Sequence, residues 1–243
     1  VTLINLILSF SNSSDNNLTH IQIRATNCLI LGELANWLKV NSYNLEAILN
    51  YLLTTIASPE KNEELSSIAA SSLQSIIVAC ASKHLSGNIN LVGILIQICC
   101  QVDFIKNEDV ANNLLQCCSA LISTSQENQE QLVMQLLTPY LTKLQQIITD
   151  KSTYSCVNCV IFYDRISSIF RNLKLTESSM QSNVLISLVN DQLWPLASMT
   201  LAQNANNNPQ VIERCCRCLR FVIRCMKPAW LLQPIVTHIV PLY

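Results

Sequence analysis

Arg214, Arg217, Arg220 and Arg224 recur at three- and four-residue spacing in the stretch Val211-Ile-Glu-Arg-Cys-Cys-Arg-Cys-Leu-Arg-Phe-Val-Ile-Arg-Cys. Wound at about 100° per residue, they stand at about 0°, 300°, 240° and 280°, inside one arc of roughly 120° that Glu213 alone interrupts. Val211, Ile212, Cys215, Cys216, Cys218, Leu219, Val222, Ile223 and Cys225 fall between about 20° and 200°, the side a helix turns to its core. The other side is a row of planar forks that match carboxylate or phosphate. A charged face is what any exposed helix shows, but surface helices usually mix signs. These arginines read as lacking acidic i,i+4 partners, and like charges at that spacing cost a few tenths of a kcal/mol. The chemistry implied is binding of an extended acidic or phosphorylated segment. The apolar arc is expected to pack against helices at 181–204 and 229–242.

Other residues with chemical potential point elsewhere. Cys156-x-x-Cys159 and Cys215-x-x-Cys218 have a spacing used by zinc and redox sites, but on a helix i and i+3 are simply neighbours on one face. The Cys215 pair lies on the core side, so both pairs read as packed, reduced, metal-free thiols. His20, His84 and His238 are isolated from one another and from any nucleophile motif, so no catalytic site is expected and the chain is read as a non-enzyme needing no cofactor. In Phe162-Tyr-Asp-Arg-Ile-Ser-Ser-Ile-Phe-Arg, Asp164 and Arg171 are about 20° apart and are expected to form a solvated pair, with Arg171 as an additional basic contact beside the stripe.

Composition sets the frame for these residues. Half of the 243 residues are apolar, 13% are charged and three are glycine, which leaves little for hairpins or Gly-rich nucleotide loops and predicts a helical protein. A net charge of −1 excludes a globally basic nucleic-acid binder, so any electrostatic function is local. Twelve cysteines, mostly on apolar helical faces, fit a reducing compartment better than a disulfide framework. Asn12-Ser-Ser and Asn17-Leu-Thr match the glycosylation pattern at the level of chance. No stretch is read as approaching about 18 residues free of polar interruption, so no membrane span is expected.

Apolar residues recur at helical spacing almost throughout, predicting helices at 1–10, 19–39, 44–57, 62–84, 88–101, 108–124, 127–148, 157–173, 181–204, 209–226 and 229–242. Pro139, Pro195 and Pro241 lie inside helical patterns, and kinks are expected there. The helices come in pairs whose second members begin near 19, 62, 108, 157 and 209, a period of about 43 to 52 residues, near that of HEAT or armadillo arrays. The fold expected is all-α: a right-handed α-solenoid of antiparallel helix pairs, HEAT-like, over 1–243, with about five pairs and one extra helix. Apolar helices at both ends, from Val1 to Tyr243, predict a piece truncated from a longer array. Second helices of such arrays line the concave side, where partners bind.

The arginine stretch, followed by Leu231-Leu-Gln-Pro-Ile-Val-Thr, resembles the importin-beta-type nuclear import receptors of the transportin-SR kind. Arg24-Ala-Thr through Leu31-Gly-Glu-Leu, Asp164-Arg165 with Ile169-Phe-Arg, and Leu193-Trp-Pro-Leu resemble the same family in the same order, with a patchier likeness between 85 and 155. The resemblance implies a receptor that carries serine/arginine-rich splicing factors into the nucleus and shuttles between cytoplasm and nucleus. It would release cargo to Ran-GTP, bound mostly through regions outside this chain, and engage nuclear pore proteins. Cargo contact would fall on Arg214, Arg217, Arg220 and Arg224, with neither membrane nor direct nucleic-acid binding. Two other classes stay open on the residues: a HEAT-repeat scaffold, such as one for a phosphatase, and a phosphoinositide or RNA binder.

Overall fold

The computed structural model describes residues 1–9, 18–57, 62–101, 105–125, 128–150, 155–204 and 208–227, and among these no residue is in a strand. Helices follow one another as α1 (Thr2–Ser9), α2 (Leu18–Glu33), α3 (Ala35–Asn41), α4 (Leu45–Ile56), α5 (Glu63–His84), α6 (Ile89–Cys100) and α7 (Glu108–Ile122). They continue as α8 (Gln129–Thr149), α9 (Cys156–Asn172), α10 (Glu177–Met180), α11 (Asn183–Ser187), α12 (Trp194–Asn204) and α13 (Pro209–Met226). The helix expected at 229–242, with Pro241 and His238, lies outside the described residues, as does the side chain of His20.

The polar clusters between apolar stretches act as starts. Asn62, Asn88 and Asn107 each accept a backbone N–H of the following helix, Asn107 from both Asp109 and Val110. A side-chain oxygen at that position satisfies a donor that the helix cannot. Ser155, Thr176 and Ser182 do the same further on.

Packing follows the pairing read from the sequence. α2, α5, α7, α9 and α13, the second helices, stack side by side in that order, and α4, α6, α8 and α12 each pack on the second helix that follows. The array is an all-α solenoid, with its core between the two rows: Leu31, Leu73, Leu115, Ile166 and Val222 of the second helices are all fully buried or nearly so. Side chains tie successive pairs together. Tyr140 donates to the Cys99 carbonyl at 2.6 Å, and the buried Gln129 donates to the Ile122 and Lys174 carbonyls while accepting from the Thr176 N–H. Arg165, nearly sealed on α9, forks onto Glu108 of α7 (Nη2 to Oε1 2.8 Å, Nε to Oε2 3.1 Å) and donates to the Ile105 carbonyl.

Three departures have local causes. The helix expected over 19–39 turns at Leu34 into α3. Just before that turn α2 touches α5, where a Cβ on Gly32 would meet Ser72 Oγ at 2.8 Å. The expected helix over 181–204 is preceded by the short α10, and it widens into a π-helix at Leu188–Leu193, immediately ahead of Pro195. Proline has no N–H to give and its ring crowds the turn before it, and the Trp194 N–H reaches back to the Val189 carbonyl across the widened turn. Pro139, by contrast, is carried inside the continuous α8. Finally, α5 is long and apolar enough to cross a membrane, contrary to the expectation that no stretch is. Its polar positions are mostly Ser, which lower hydropathy little, and it sits between α2 and α7 in the middle of the stack.

Candidate functional site: the outward face of the second helices

α13 begins with Pro209 in its first turn and ends at Lys227, whose left-handed φ of 47° closes the helix with an N–H to the Ile223 carbonyl. Its buried side chains are Val211, Cys215, Cys218, Leu219, Phe221, Val222, Cys225 and Met226, packed chiefly on α9 and next on α12. The expected contact with 181–204 is present through α12 and that with 229–242 lies outside the described residues, while the larger α9 contact was not expected. It follows from the stacking of second helices on one another. Ile212, Cys216 and Ile223 are only half-buried, so the core side is turned toward the arginines by a few tens of degrees and takes in Phe221, at about 340° on the wheel.

That rotation divides the arginines. Arg214, at the edge of the core, is drawn into the α9 interface. Its Nη1 lies 3.4 Å from Asp164 Oδ1, and its Nε is buried and faces Glu213 Oε2 at 3.5 Å, near enough for attraction but not aimed for a hydrogen bond. Arg217 donates to Glu213 Oε1 at 3.0 Å and lies 3.8 Å from Asp164 Oδ1, with its side chain 40% exposed. Glu213 and Arg217 are thus an acidic i,i+4 pair, correcting the expectation that the arginines lack such partners. Asp164 pairs across to α13 and not with Arg171; seven residues along a helix is about 10 Å, too far for an ion pair. Burial pushes the Asp164 carboxyl up from its ordinary value, against the pull of Arg214 and Arg217 and with a further push from Glu213.

Arg220 and Arg224 are exposed, and Arg171 of α9 joins them. Their guanidinium carbons lie 5.2, 5.7 and 5.9 Å from the centre of the Phe221 ring, and Arg224 Nη2 donates to the Arg171 carbonyl at 3.3 Å. Among the described residues none of these three has a carboxylate within ion-pair distance. An aromatic face attracts cations and fixes their planes, but it does not neutralise them. Three positive charges around one ring make this cluster a candidate site for an anion. The ring was missed by the sequence reading, which left Phe221 unplaced although its angle falls among the arginines.

Beside this cluster the outward faces of α7, α9 and α13 line a cavity of about 290 Å³, bounded by Asn112, Gln116, Asp164, Arg171, Arg217 and Phe221. Ser168 donates to Asn112 Oδ1 at 3.0 Å across it. Of the candidate arginines, Arg171 and Arg217 line this cavity, and Arg171 shares the Phe221 ring with Arg220 and Arg224.

Nine of the twelve cysteines are buried, and Cys100, Cys156 and Cys216 are half-buried. Cys159, Cys215 and Cys218 are buried at the α9 to α13 seam, Cys215 Sγ approaches the Ala197 carbonyl, and burial pushes the Cys218 thiol up to about 12 and Cys215 well above its ordinary value. Thiols in that state stay protonated at neutral pH and pack as small apolar groups.

Two family models match. The Transportin-3/Importin-13 third TPR domain matches residues 3–98, and the Transportin-3/Importin-13 fourth TPR domain matches residues 185–243, together well over half of the chain. The chain belongs to the transportin-3/importin-13 family of importin-beta-type nuclear transport receptors. TPR is the label these domains carry, where the period pointed to HEAT; both are stacked antiparallel helix pairs. The fourth-domain match contains the whole of α13, while Asp164 and Arg171 come from the stretch between the two matches.

Proposed function

We propose that this segment of a transportin-3/importin-13 receptor binds a phosphorylated arginine-serine-rich segment of splicing-factor cargo along the arginine face of α13. The observation that carries the reading is the convergence of Arg171, Arg220 and Arg224 on Phe221 without a carboxylate among the described residues. Phosphate brings about two negative charges and three acceptor oxygens, which such forks hold in pairs. Arg217, and then Arg214, extend the row, and Asp164 and Glu213 hold them in reserve until phosphate competes for them. In the same reading the whole receptor shuttles between cytoplasm and nucleus, meets nuclear pore proteins, and releases cargo to Ran-GTP bound mostly through other regions.

The test is a titration of the chain with one arginine-serine peptide in phosphorylated and unphosphorylated form, and with a single-stranded RNA. The phosphorylated peptide should bind at least about tenfold more tightly, and its affinity should fall as salt rises. Equal binding of both peptides would leave a scaffold without phosphate reading, and preference for the RNA would make the face a nucleic-acid surface.

A further inference from the structure

A second cavity, of about 550 Å³, opens where the carboxyl ends of α5, α7, α9 and α13 come together. Among the described residues its charged lining is Arg171, Lys174, Arg224 and Lys227, with no carboxylate, and its apolar floor includes Ala81, Ala120, Phe170, Leu173 and Met180. Val78, 43% exposed, forms an apolar rim. Cations in the last turn of a helix are ordinary, since each complements the partial negative charge of that end. Here the complement is exceeded. Arg171 and Arg224 already share one aromatic ring, and Lys174 and Lys227 add to them without a carboxylate among the described lining residues.

The wall is fixed before any ligand arrives. Ser123 Oγ accepts the Lys174 N–H at 2.7 Å and lies 3.0 Å from the Asn172 carbonyl, so the turn after α9 is held against the end of α7. Cys225 Sγ approaches the Leu173 carbonyl at 3.5 Å and ties the same turn to α13. A basic rim over an apolar floor suits an anionic side chain beside an apolar one, and neither a bare polyphosphate nor a purely basic peptide fills both.

We propose that this cavity is a second peptide subsite, taking an acidic or phosphorylated residue next to an apolar one from the cargo chain that flanks the phosphorylated run on the arginine face. The proposal rests on the cargo reading above, because Arg171 and Arg224 belong to both surfaces. From Arg217 to Arg224 is about 10 Å along the helix, which an extended peptide crosses in about three residues. The subsite therefore selects among phosphorylated cargoes by what lies just beyond the repeat.

Three fluorescent peptides test it on the 243-residue chain: a phosphorylated arginine-serine run alone, the run extended at either end by Glu-Leu-Glu, and the run extended by Ser-Gly-Ser. On the wild type the Glu-Leu-Glu extension at one end should tighten binding about tenfold over Ser-Gly-Ser. That gain should vanish in Lys174→Gln with Lys227→Gln and in Ser82→Trp, which narrows the cavity from its exposed rim. Both variants should melt like the wild type and keep most of the affinity for the unextended run. No gain from the extension at either end, or a gain that survives both variants, overturns the subsite. Binding of inositol hexakisphosphate that is lost in the same variants, with no gain from Glu-Leu-Glu, assigns the cavity to a small polyanion and also overturns it. If the unextended run fails to bind at all, the cargo reading fails separately, and the two peptide extensions still compare the cavity on its own.

Discussion

Arg220 and Arg224 differ from Arg214 and Arg217 in what they must give up to meet a phosphate. The first two lie on Phe221 with no carboxylate partner among the described residues, while the second two would exchange Asp164 and Glu213 for the ligand. A hydrogen bond to a charged group contributes about 1.5–3 kcal/mol, falling toward about 1 where water reaches it, so Arg220→Ala with Arg224→Ala should weaken phosphopeptide binding by on the order of 10- to 1000-fold. Arg214→Ala with Arg217→Ala should cost less, and isothermal titration of the two double variants ranks them. Replacing Arg220 and Arg224 by Lys keeps charge and loses the fork, which places affinity between wild type and the alanine pair. Asp164 supplies a pH signature. Its folded-state pKa is raised above the unfolded value of about 3.8. A raised acid contributes stability below the unfolded pKa, and that contribution is lost as pH rises through the folded pKa. Asp164→Asn should therefore flatten the decline of stability with rising pH on the acidic side, without destabilising the neutral protein, as urea melts across pH 3 to 7 would record. The same change frees Arg214 and Arg217 and should tighten phosphopeptide binding at pH 7.

At the scale of elements, stability rests on how closely the second helices approach. A Cβ on Gly32 would meet Ser72 Oγ at 2.8 Å and its Cα at 3.1 Å, whereas one on Gly93 of α6 meets open space. Gly32→Ala should cost about 1–3 kcal/mol through overpacking, and Gly93→Ala should gain about 0.5–1 kcal/mol from helix propensity. Thermal melts of the pair check both signs. The Arg165 to Glu108 fork is the other anchor. Arg165→Ala leaves Glu108 partly open to water, since its side chain is 36% exposed, so the loss should be about 2–3 kcal/mol and not the full penalty of a sealed charge. Helix limits were legible because apolar residues recur with the helical period and Asn or Ser stands at several starts, as at Asn62, Asn88, Asn107 and Ser155. The π-helix ahead of Pro195 was not, because periodicity shows that a helix continues past a proline but not how its turns widen.

For the whole molecule, the order of second helices was readable from their spacing, since a helix pair can cover its apolar faces only by stacking on the next. What escaped was lateral: Asp164 is 50 residues from Arg214 in the chain and was matched to Arg171 on its own helix, although α9 lies directly beneath α13. Charge pairs between stacked helices depend on rotation about each axis, and a wheel drawn for one helix alone lacks that angle. Phe221 was within reach of the wheel, at about 340°, yet as one aromatic among arginines it had no expected role. The account stands on phosphate being read by arginines that have no carboxylate partner among the described residues. The most direct measurement is the ratio of affinities for phosphorylated and unphosphorylated arginine-serine peptide, taken on the wild type and on the triple variant Arg171→Ala, Arg220→Ala, Arg224→Ala, with melting temperatures in parallel. The ratio should be about tenfold or more in the wild type and fall close to one in the variant while the melting temperature holds; the same ratio in both proteins would contradict it.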